Sequence, residues 1–70
     1  GKVAFLFYNP YDSAQIDALT KMEEKLGGTY HVIRQDITRQ SLLYERLQMH
    51  NVPAAAYYEN GQVERIEESL

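Results

Sequence analysis

The chain reads as an α/β fold of order βαβαββ, a mixed four-stranded sheet with helices on its faces. Three observations carry that reading. The apolar run Val3-Ala4-Phe5-Leu6-Phe7-Tyr8 lacks the polar alternation of a half-exposed strand, so it suits a strand covered on both faces. A stretch of helical periodicity follows it. Near the end, Asn60-Gly61 separates two strand-like runs, the strongest short-range hairpin signal, because both central residues of a type I′ turn need positive φ.

Each element has its own justification. Asn9, Pro10 and Tyr11 break the first strand, which spans 3–8. Asp12 then offers a carboxylate N-cap, with Gln15 at capping-box spacing. Ile16, Leu19, Met22 and Leu26 recur on one helical face, so a helix is predicted over 12–26. Gly27 and Gly28 are expected to supply the positive-φ positions on which helices commonly end. The segment 30–35 is a second strand, more polar than the first and therefore nearer a sheet edge. Joined through a helix, the two strands should be parallel. Thr38 or Ser41 can cap a second helix whose face carries Leu43, Leu47 and His50, with Asn51 expected in the left-handed C-terminal position. Val52 precedes proline and is pushed to extended backbone, so the helix must stop before it. Pro53 opens the hairpin, where a missing N–H does least harm to a ladder.

Composition narrows the classes of function. Seventy residues without cysteine form one small domain, which buries only about 60% of its unfolded surface. No disulfide staples it, and neither His31 and His50 nor the acidic residues fall at metal-ligand spacing. A net charge of −3 with scattered basic residues argues against nucleic acid. No apolar run reaches the length of a membrane span. Gly1 is consistent with an excised segment, and the expected organisation is a single truncated domain over 1–70.

The ordered set of elements, with Val52-Pro53 opening the hairpin, resembles the thioredoxin fold over nearly the whole chain, without that family's first strand and helix or its last helix. In thioredoxins a strand ends in an aromatic turn, then a Cys-x-x-Cys pair opens a helix. Here Tyr11 stands at the tryptophan position, Asp12 at the nucleophilic cysteine and Gln15 at the resolving cysteine, while Leu6 replaces a buried acid. The resemblance implies a cis peptide at Val52-Pro53, beside which relatives pair with extended peptide, a form of strand addition. It also implies a redox-inactive member, because thiol exchange needs a thiolate and a sulfur to receive it.

Asp12 at the nucleophile position invites an acid–base role, but its simpler role is the cap, which accepts backbone N–H bonds and gains from the helix dipole. Tyr11, in an exposed turn, is a candidate contact residue. Tyr8, Tyr57 and Tyr58 are expected in or beside the core, with Tyr57 and Tyr58 on opposite faces. His50 is expected at a helix C-terminus, where the dipole favours a cation. Glu64, Glu67 and Glu68 form an acidic end, read as a hairpin edge and a helix start.

The functional expectation is therefore a non-catalytic module that binds another protein, an adjacent domain or a second copy of itself. Tyr11, Asp12, Val52 and Pro53 are its contact residues, and no cofactor, metal or catalytic residue is assigned. With one helix covering only part of a sheet face, apolar surface should remain open, and such patches mark interaction sites. Two alternatives remain. One resembles the glutathione-binding N-terminal domain of glutathione transferases, with Tyr8, Val52 and the pair Glu68-Ser69 as ligands, although the hairpin is longer than that pattern allows. The other is a purely structural domain of a larger protein.

Overall fold

A computed structural model describes residues 1–39 and 41–68. Six elements follow one another: β1 (Lys2–Tyr8), α1 (Ser13–Leu26), β2 (His31–Asp36), α2 (Leu42–Arg46), β3 (Ala54–Glu59) and β4 (Gln62–Glu68). They form one four-stranded sheet of order β2-β1-β3-β4. β1 and β2 run parallel, while β1–β3 and β3–β4 are antiparallel. The apolar β1 is a central strand and the more polar β2 is an edge, as their compositions predict.

Strand alternation divides the core into two layers. On one face Ala4, Leu6, Ala55 and Tyr57 lie buried under Leu19 of α1, with Tyr8, Met22, Leu26, Tyr30 and Val32 around them. On the other, Phe7, Ala54 and Ala56 pack with Met49, and Leu43, Tyr44 and Leu47 close over them from the α2 side. Tyr57 and Tyr58 fall on opposite faces, as expected. The buried alanines keep the middle of the sheet shallow, so a single leucine, Leu19, is the only fully buried side chain of α1.

Several local expectations need correction. Gly27 caps α1 in right-handed geometry (φ −60°) and donates to the Glu23 carbonyl, and Gly28 has no positive φ either. Thr29 and Tyr30 instead return their N–H groups to the Leu26 carbonyl at 2.9 and 2.8 Å, which closes the helix without a left-handed residue. α2 lasts only five residues, and Gln48 (φ 55°), not Asn51, takes the left-handed position after it. His50 therefore lies outside the last helical turn. Ser41 caps α2, whereas Thr38 bonds back to Asp36. Glu67 and Glu68 are β4 residues, not a helix start; Ser69 lies outside the described residues.

The hairpin turn matches its sequence signal: Asn60 (φ 52°) and Gly61 (φ 81°) both occupy the left-handed region. Pairing of Tyr58 with Val63 and of Tyr57 with Arg65 leaves Glu64 as an extra residue, a bulge on the edge strand. The bulge and the glutamates both discourage pairing with another strand along β4.

Candidate functional site

Phe7 of β1 pairs with Ala54 of β3, so the turn that leaves β1 and the loop that enters β3 emerge at the same end of the sheet. The sequence-predicted residues divide between these two segments: Tyr11 and Asp12 in the first, Val52 and Pro53 in the second. The Val52-Pro53 peptide is cis.

The first segment is framed by side-chain bonds to backbone. Asp12 Oδ1 accepts from the N–H groups of Ala14 (3.0 Å) and Gln15 (3.4 Å), the arrangement of an N-cap. The Gln15 amide donates to Asp12 Oδ2 at 3.3 Å and accepts from the Asn9 N–H at 2.8 Å. The expected capping box is thus displaced by three residues, because the Asp12 N–H is already bound to the Asn9 carbonyl (3.1 Å). Asn9 Oδ1 accepts from the Tyr11 N–H at 2.9 Å, fixing the turn. Within that frame the Tyr11 side chain stands in solvent, 87% exposed.

The second segment is held from two elements. Glu68 Oε1 on β4 accepts from the consecutive N–H groups of His50 (2.7 Å) and Asn51 (2.9 Å). The Tyr44 hydroxyl donates to the Asn51 carbonyl at 3.2 Å. The His50 amide bond, then that of Asn51, holds the Glu68 carboxyl below its ordinary range. Burial, then the Glu68 charge, pushes the Tyr44 phenol up. Sequence reasoning missed Glu68 and Tyr44 as loop supports. Nothing local announces a contact spanning eighteen positions.

The chain's overall match to known proteins lies in its shape. It aligns with a germline-specific thioredoxin, Deadhead, from Drosophila melanogaster (TM-score 0.76, 13% identity, 96% of this chain and 67% of that one). A malarial protein aligns with TM-score 0.71 and 11% identity over 96% of this chain and 79% of its own. The fold is thioredoxin-like. The sequence itself matches no family model and no curated protein. In this thioredoxin-like chain the start of α1 carries a cap carboxylate, Asp12, and an amide bound to backbone, Gln15, and there is no cysteine to exchange.

The residues of the glutathione-binding alternative separate in space. Tyr8 packs on the α1 face, with the Arg34 guanidinium 5.9 Å from its ring centre, and Val52 packs on the opposite face. Glu68 is engaged by the loop amides, and Ser69 lies outside the described residues.

On the α2 side, β4 leaves Val63 (47%) and Ile66 (40%) open to solvent beside Tyr58 and Ala56, the residues they pair with. The α1 side of the same strands is closed differently: Arg65 lies 3.9 Å from the Tyr57 ring centre, and Tyr30 packs against Tyr57 at 5.2 Å. No helix is long and apolar enough to cross a membrane, among the described residues.

Proposed function

We propose that this chain is a non-catalytic thioredoxin-fold module that docks another protein or an adjacent domain through Tyr11, Asp12, Val52 and Pro53. The observation that carries the reading is the Tyr11 ring, held in solvent by a turn whose backbone is fixed on both sides. A preorganised aromatic is what an interface anchor needs, since it adds area on binding and loses little freedom. Asp12 belongs to the frame and contributes by shaping the turn, not by proton transfer. Val63 and Ile66 are a second, smaller apolar area that an adjoining segment would cover.

A photoreactive group placed at position 11, with a control at position 24 on the solvated side of α1, tests the reading in the cells that make the protein. Discrete covalent adducts should form from position 11 and not from position 24. Excess unmodified chain should suppress them, and excess Tyr11→Ser chain should not. If the Tyr11→Ser chain competes equally well, the docking reading is wrong. An adduct of twice the chain mass identifies the partner as a second copy.

A further inference from the structure

We propose that Glu68 latches the His50–Asn51 segment of the loop 48–53 to the end of β4, and that protonating its carboxylate frees those two amides. The relevance of the latch to docking rests on the reading above; the latch itself does not.

The geometry is specific. Both amides are bonded by the same oxygen, Oε1, at 2.7 and 2.9 Å, and they belong to successive residues, His50 and Asn51. Two N–H groups converging on one anion form a small backbone concavity of the kind that binds anions. Ala54, the first β3 residue after this loop, pairs with Glu68, so the carboxylate reaches back from the strand directly beside the loop's exit. A neutral carboxyl accepts more weakly, because bonds to an ionised acceptor are roughly twice as strong. The Tyr44 hydroxyl on the Asn51 carbonyl and the packing of Met49 and Val52 against the sheet hold the rest of the loop.

The charged and titratable neighbours are few. His50 from the loop and Tyr44 from α2 both interact with the Glu68 charge. From β3 the partner is Ala54, and beyond it Phe7 and Met49 are apolar. Tyr44 stays neutral through the acid range, so only His50 has to be separated from the carboxylate.

Amide proton shifts followed by NMR from neutral to acid pH provide the test. The His50 and Asn51 amides should move together with one midpoint below the ordinary carboxylate value of 4.5. The movement should persist in His50→Gln, which removes the imidazole. It should vanish in Glu68→Gln and Glu68→Ala. The Thr38 amide, bonded to Asp36 at 2.8 Å, should keep its own acid titration in every variant and report an intact fold. The latch is refuted if the two amides show no common acid titration in the native chain, or if they retain it without the carboxylate. A latch that passes while the position-11 adducts fail leaves the loop device standing and the docking assignment overturned.

Discussion

Replacing Asp12 separates a structural carboxylate from a reactive one. Its oxygens accept two backbone N–H bonds and one amide bond from Gln15. Removing an N-cap of this type costs about 1 kcal/mol. In a domain of 70 residues, about 1 kcal/mol lowers the melting temperature by roughly 4–8 °C. Asp12→Ala should therefore melt that much earlier. Asp12→Asn should stay within about 0.5 kcal/mol of the native chain, because asparagine caps as well as aspartate does. A double-mutant cycle with Gln15→Ala should show coupling of about 0.5 kcal/mol or more, since both residues belong to one network. Thermal and urea unfolding followed by circular dichroism measure the native chain and the four variants. An alanine variant as stable as the native chain would refute the cap. An asparagine variant as damaged as alanine would show that charge, not hydrogen-bond geometry, is what position 12 supplies.

Other outcomes follow from the packing and the turn. Leu19→Ala removes the only fully buried side chain of α1 and should cost about 2–5 kcal/mol, against a total of roughly 3.5–10 kcal/mol for a chain this size, so its urea midpoint should fall by about a fifth or more. Leu42→Ala, at 55% exposure, should change that midpoint little. Gly61→Val places a branched side chain at φ 81° and should cost roughly 1–2 kcal/mol, read as a lower melting temperature and faster exchange of the β3–β4 amides. The Thr38 hydroxyl is the main cause of the lowered Asp36 carboxyl, with the Thr38 amide and Arg39 adding to it. Both Asp36 and Glu68 are lowered on folding, so each contributes stability above its ordinary value of 3.8 or 4.5 and loses it as the pH falls through the folded-state value. Melting temperature should therefore drop on acidification through this range, less steeply in Thr38→Val; an unchanged slope in that variant would contradict the assignment.

Features that depend on a few neighbouring residues were legible in the sequence. The Ile16, Leu19, Met22 and Leu26 stripe, the Asp12 cap and the Asn60-Gly61 turn each follow from spacing and backbone preference. The order of elements then implied the mixed sheet. Legibility failed where two local solutions compete. Gly27 and Gly28 permit a left-handed ending, but the Thr29 and Tyr30 amides reach the Leu26 carbonyl without one. Asn51 is a good left-handed residue, yet the short α2 ends earlier and places that conformation at Gln48. It failed altogether where the partner is distant, as with the Glu68 bonds and the Glu64 bulge, which depend on strand register.

The two segments at this end of the sheet share a physical device: a carboxylate oxygen that accepts from two successive backbone N–H groups. Asp12 holds the N–H groups of Ala14 and Gln15, and Glu68 those of His50 and Asn51, so each fixes two successive backbone positions. In a chain too small for a large core and lacking disulfides, such anchors help two loops keep a set shape, the second of them also resting on Met49 and Val52. Backbone held at the end of a sheet, with the Tyr11 ring in solvent beside the Asp12 cap, is what the proposed docking role requires.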